Sequence, residues 1–210
     1  MGLFKGAISY SKFHVRGALP ERFADRYVES IRLRAFRPLG PEDEEDQRVG
    51  WVSVHHPLDL ELDHHKIFLN EYLNLGFRID KWRIPTPIYK AHYAEAEEEL
   101  LAKLGKENLS RSQKEDLAAM VTKRLRERVM PTMRVVDLSW NLNHGVLRFF
   151  SQSAKTHELL AELFEQTFGL DLVLDGVYTG AEKRGFSGAH MDALVQLEPT
   201  PFHYEPGVAP

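Results

Sequence analysis

Apolar residues recur at steps of three and four at Tyr89, Tyr93, Ala96, Leu100 and Leu104. That spacing places all five on one side of a helix, while Glu95, Glu97, Glu98 and Glu99 occupy much of the remainder. Pro85 and Pro87 shape the entry, because their fixed φ suits a first helical turn and their predecessors are biased to extended geometry. Gly105 suits the left-handed position past a helix end. A polar link from Lys106 to Leu109 follows, and either Ser110 with Gln113 or Ser112 with Glu115 offers a capping box. Leu117, Val121, Leu125 and Val129 then form a second stripe, which Pro131 stops. Two helices of roughly 25 and 30 Å, each with one narrow apolar stripe and joined by so short a link, predict an antiparallel helical hairpin. The arm spans 84–131. A lone hairpin is marginal, so its tip, from Leu104 to Leu109, is expected to meet a second copy in a homodimer.

The flanking pattern has a different period. Leu73, Leu75, Phe77 and Ile79 alternate with Asn74, Gly76 and Arg78, as in a half-buried strand leading into the arm. Leu3 to Val15, Val49 to Val54, Met133 to Trp140, Val146 to Phe150 and Leu170 to Leu174 read as further strands, the hairpin between the third and fourth of these turning at Asn141 to Gly145. Phe23, Tyr27, Ile31 and Ala35 form the stripe of one helix, with Pro20 in its first turn and Arg22, Arg26 and Arg32 outside it. Thr156, His157, Leu160, Phe164 and Phe168 form another, opened at Ser153 and closed at Gly169. The order predicts an α+β fold, a largely antiparallel sheet with helices on one face, made from residues 1–83 and 132–176 with the arm inserted. From 177 the periodicity fails, and Glu198 to Pro210 hold four prolines. Residues 177–210 are therefore expected to be an irregular Pro-rich tail, extended where ordered.

Composition changes this picture little. At 210 residues and 28% charged, the chain fits one domain with an appendage. The absence of cysteine excludes disulfides, thiolate catalysis and Cys-ligated zinc, and is compatible with a reducing cytoplasm. No uncharged run is long enough to span a membrane, and Gly6 stands where a myristoylation signal needs Ser or Thr.

Charge is more informative than composition. The net charge of −4 disfavours a nucleic-acid partner, yet it is unevenly spread. Residues 1–36 carry seven Lys and Arg against three Asp and Glu, residues 37–65 two against eight, and residues 108–134 seven against three. Fields act within about a Debye length of 8 Å, so an acidic molecule can present a basic face. The acidic run at Pro38 to Gly50 reads as a solvated connection. On the second arm helix, Lys123 and Arg126 lie opposite the apolar stripe and Arg124 flanks it, so the three can face outward together. Lys81, Arg83 and Lys90 stand at the arm's base. All six are candidate phosphate contacts, against the alternative of a solvated, dipole-compensating helix end.

Other chemistry is thinly represented. His55, His56, His64 and His65, with Asp59, Glu61 and Asp63 between them, are the right ligand types for zinc or iron. Their spacing matches neither HExxH nor HxxEH, and a polar surface segment is the expected reading. Gly176, Gly180, Gly185 and Gly188 lack a phosphate-loop ending, and no GxSxG or nucleophile beside a base is visible, so neither a catalytic residue nor a cofactor is expected.

Several of these features occur together in one known family. Gly50-Trp51-Val52 after the first helix, the Pro85-x-Pro87-x-x-Lys90 entry, and the Lys114, Leu117, Val121, Leu125 helix closed by Pro131 resemble the RdgC family of bacterial recombination-associated DNA-binding proteins. The resemblance continues through the Trp140 strand, the Gly145 hairpin and the SAKTHELLAEL helix, includes Phe4-Lys5, and covers about residues 1–175. It implies a shortened member that binds double-stranded DNA with little sequence preference as an encircling homodimer, restrains RecA-type recombinases and lies with the nucleoid in the cytoplasm. Two alternatives stand beside it: a protein-interaction or dimerisation module of the same fold, and a metal-dependent enzyme built on the histidine cluster.

Overall fold

A computed structural model of the chain describes residues 2–4, 8–20 and 23–197. Parts of three sequence expectations lie outside these residues: the start of the first strand at 5–7, Arg22, and the Pro-rich stretch Glu198 to Pro210.

The described residues form an α+β fold, a seven-stranded antiparallel sheet curled into a half-barrel, with seven helices. The strands are β1 (Ser11–Arg16), β2 (Gln47–Val52), β3 (Phe68–Leu69), β4 (Tyr72–Lys81), β5 (Thr132–Asn141), β6 (Val146–Phe149) and β7 (Asp171–Leu174). Their spatial order is β2-β4-β5-β6-β1-β7, with the short β3 beside β2 on the same edge of β4. The longest ladder joins β4 to β5, from Tyr72 opposite Asn141 to Lys81 opposite Thr132.

Alternation along β4 sends Leu73, Leu75, Phe77 and Ile79 to one face. There α1 (Phe23–Leu33) and α5 (Ala154–Phe168) cover them through Tyr27, Val28, Ile31, Leu160, Leu163, Phe164 and Phe168. Trp140 is the hub of this core, with ring centroids 5.2 Å from Phe164 and 5.4 Å from Phe168. The Trp51 indole N–H donates to the Thr167 hydroxyl at 2.9 Å, and that hydroxyl donates to the Leu163 carbonyl. A buried polar group is thereby satisfied in the seam between β2 and α5.

The opposite face of the sheet is polar. Arg78 forms a bidentate pair with Asp80, at 2.8 and 2.6 Å, beneath the Phe36 ring. The region expected to be irregular begins with two short helices over this face, α6 (Val177–Lys183) and α7 (Ala189–Gln196). They escape the sequence reading because each is about two turns long and glycines interrupt any sustained period; Ala181 and Met191 are their buried anchors. One smaller departure has an equally local cause. Ala35 leaves the first helix to bridge Trp51, which adds a backbone pair to the outer edge of β2. The segment His55 to His65 is irregular until the one-turn α2 (His64–Ile67).

Candidate nucleic-acid interface

The arm is present as an antiparallel hairpin of α3 (Thr86–Leu104) and α4 (Arg111–Arg126). Gly105 closes α3 at φ 61°. Ser110, not Ser112, caps α4: its hydroxyl accepts from the Gln113 amide at 3.3 Å, while Gln113 Oε1 accepts from the Ser110 amide at 3.0 Å. Ala96, Leu117, Val121 and Leu125 pack between the helices, joined by Tyr89, Tyr93 and Leu100. α4 ends one turn earlier than its stripe suggests, and Val129 lies exposed beyond it.

The six cations do not share one environment. Arg83, Lys90 and Lys123 are exposed, Lys81 is half-buried, and none of these four pairs with a carboxylate among the described residues. Antiparallel pairing sets the start of α3 beside the end of α4, as the shared lining of one cleft by His92, Arg124, Leu125 and Arg128 shows. Lys90 and Lys123 therefore belong to the same end of the arm as Arg83. Arg124 is exposed too, but it borders clefts that also contain Glu95 and Glu99, so α3 carboxylates offset part of its field.

Arg126 does not face outward. Its side chain is only 6% exposed, and its guanidinium donates to the Asp43 carbonyl and to Asp46 Oδ1 at 2.5 Å, 5.6 Å from the Trp82 ring centroid. The helical arithmetic that turned Arg126 away from α3 was sound, but a second partner covers that side. The acidic loop before β2 docks there, pinned also by the Trp82 amide donating to the Asp46 carbonyl at 2.9 Å. This loop is hence a clamp on the arm's base rather than a solvated connection. Its own shape is fixed by Arg48, which reaches Asp43, Glu45 and the Pro38 carbonyl. Sequence reasoning missed Trp82, Asp43 and Asp46. An aromatic residue between two cations, Lys81 and Arg83, was the available signal.

Replacing Arg126 by alanine is expected to cost about 1–2 kcal/mol, because the carbonyl hydrogen bond and the indole packing are lost while the pairing with Asp46 is screened. Asp46 is 78% exposed, so Asp46→Ala should cost under about 1 kcal/mol. Urea titrations of both variants check the ordering; equal losses would show that the ion pair dominates. The clamp should also weaken in acid. The Gly40 amide, followed by Arg48, holds the Asp43 carboxyl below its ordinary range. A depressed carboxyl contributes stability above the unfolded value of about 3.9 and loses it as pH falls through the folded value.

Of the two residues expected at a dimer contact, Leu104 is 40% exposed, whereas Leu109 is buried within the arm. Leu109 precedes the Ser110 cap, and the link folds back far enough for it to join the Leu117 stripe.

The histidines are dispersed among other partners. His55 stacks on Phe4 and His64 on Phe68, while His56 Nδ1 accepts from the Leu58 amide. Asp59 and Glu61 pair with Lys66, and Asp63 pairs with Arg32. Among the described residues no three His, Asp or Glu side chains are placed to hold a metal ion, and no helix there is long and apolar enough to cross a membrane. No protein-family model matches the chain, and the search of curated proteins likewise found no match.

Proposed function

We propose that this chain is an RdgC-like protein that binds double-stranded DNA without sequence preference, acts in recombination or replication, and as a dimer clamps the duplex and restrains RecA-type strand exchange. The observation that carries the reading is the group of cations at the arm's base that pair with no carboxylate among the described residues, Arg83, Lys90 and Lys123, with Lys81 beside them. Sequence-tolerant binding rests on phosphate neutralisation, and an ammonium or guanidinium without a protein counter-ion is available for it. Arg126 has no part in this surface.

The test is the triple variant Arg83→Ala, Lys90→Ala, Lys123→Ala, which leaves the clamp intact. If all three groups contact phosphates, affinity should fall alike for every duplex sequence, and the slope of log affinity against log salt should decrease by about three. An unchanged slope would reject the arm's base as the binding surface.

A second reading, a protein-interaction module, is favoured by a groove of about 430 Å³ between α3 and α4, where Leu100, Leu104 and Met120 line an apolar floor and Met120 is 51% exposed. The same titration separates the two, because an interaction module without DNA affinity would show no salt-dependent DNA binding.

A further inference from the structure

Between α6–α7 and the polar side chains of β1, beside Asp175 just past the end of β7, lies a cavity of about 730 Å³, within the range of small-molecule sites. Its floor is a hydrogen-bonded row of four side chains. His14, 7% exposed, places Nε2 2.5 Å from Asp175 Oδ1 and Nδ1 2.6 Å from Lys183 Nζ, and Lys12 Nζ lies 3.1 Å from Asp175 Oδ2. An ammonium only donates, so Nδ1 of His14 accepts from Lys183 and Nε2–H donates to Asp175. Both oxygens of Asp175 are engaged, one by His14 and one by Lys12.

The charges along this floor do not cancel. Lys12, Lys183 and the neighbouring Arg184 each carry a positive charge, and Asp175 supplies the single negative one among the lining residues. The nearby Glu182 is drawn away to Arg16 at 3.1 Å. Lys183 is held by the His14 ring rather than by a carboxylate, and Arg184 pairs with no carboxylate among the described residues. Val177, Phe186 and Leu194 add apolar lining to the same cavity. A lining that combines a surplus of positive charge with exposed hydrocarbon describes a particular ligand chemistry.

We infer that this cavity binds a small amphipathic anion, its carboxylate or phosphate on Lys183 and Arg184 and its apolar body along Val177, Phe186 and Leu194. An anionic head would supply the counter-charge that the floor lacks, through charge-assisted hydrogen bonds. His14 positions Lys183 rather than touching the ligand, and Asp175 fixes the tautomer that lets it do so. The site is separate from the arm, so it does not depend on DNA binding.

The probe is 8-anilinonaphthalene-1-sulfonate, an aromatic anion whose fluorescence rises in an apolar site, titrated into the full chain under conditions where near-ultraviolet circular dichroism shows native packing. Saturable binding of one probe per chain is expected, with displacement by dodecanoate if the body is an alkyl chain or by thymidine 5′-monophosphate if it is planar; uncharged dodecanol should displace it poorly. The double change Lys183→Gln, Arg184→Gln should weaken the probe about tenfold, whereas the Lys123→Ala variant should bind it normally. Should the double variant fail to fold, Arg184→Gln alone, which removes a side chain exposed to solvent, is expected to weaken the probe several-fold. No saturable binding up to about 1 mM, dodecanol competing as well as dodecanoate, or unchanged affinity in the folded variant would overturn the assignment.

Discussion

Phe164→Ala is expected to lower the unfolding free energy by about 4 kcal/mol, the largest single effect anticipated for this chain. Phe164 has no solvent exposure, and it meets Trp140 and Phe168 at 5.2 and 4.6 Å between ring centroids. Truncation removes the aromatic contacts from two neighbours at once. It also leaves a void between α5 and the sheet that rigid rings cannot easily fill. Equilibrium urea unfolding followed by Trp fluorescence measures the loss, and a midpoint shift at constant slope would show that the native state is otherwise kept. A loss below about 1 kcal/mol would mean that α5 can settle into the gap, contrary to the close packing described here.

Gly50→Ala should cost about 3 kcal/mol, at the upper end of the range for overpacking. A methyl group at this position would sit 2.5 Å from the Phe36 Cα and 2.8 Å from the Phe36 amide nitrogen. Both are backbone atoms, so no rotamer change relieves the clash; the segment after α1 would have to lift off β2. That movement would break the hydrogen bonds from the Phe36 amide to the Trp51 carbonyl and from the Trp51 amide to the Arg34 carbonyl, at 2.9 and 3.0 Å. Gly176→Ala is the matched control, because a Cβ there meets nothing within 4 Å. Thermal unfolding of the two variants side by side should show a large loss for the first and almost none for the second. Equal melting temperatures would contradict the close approach at Gly50.

The elements most legible in the sequence were those whose one dominant partner imposes one period. Leu73 to Ile79 alternates because β4 buries one face under helices, and Tyr89 to Leu100 steps by three and four because α3 has a single neighbour. The αL glycines at 105 and 169 were equally local signals. Arg126 was misplaced for the complementary reason. Its surroundings are set by Asp43 and Asp46, about eighty residues earlier in the chain, and no window along α4 contains that information. Leu109 was misread on a smaller scale, since the way a four-residue link folds back depends on its backbone path rather than on its composition. At the candidate interface, the exposure of Lys123 followed from helical phase, whereas the α3 carboxylates beside Arg124 emerged only once the two helices were set against each other. The cavity over β1 left no trace in the sequence, because its parts come from Lys12, His14, Asp175 and the two short helices, which only the pairing of β1 with β7 brings together.

The arm's position between β4 and β5 also bears on how the chain reaches its native state. The longest ladder of the sheet closes at Lys81 opposite Thr132, so pairing these strands means closing a loop of the fifty residues 82–131. If those residues were an unstructured coil, closure would cost about 2 kcal/mol more in chain entropy than closing a turn of a few residues. A helical hairpin removes much of that difference, since its contacts are local and its two ends emerge side by side. An arm formed early would act as a preassembled turn, delivering β4 and β5 to one another already antiparallel.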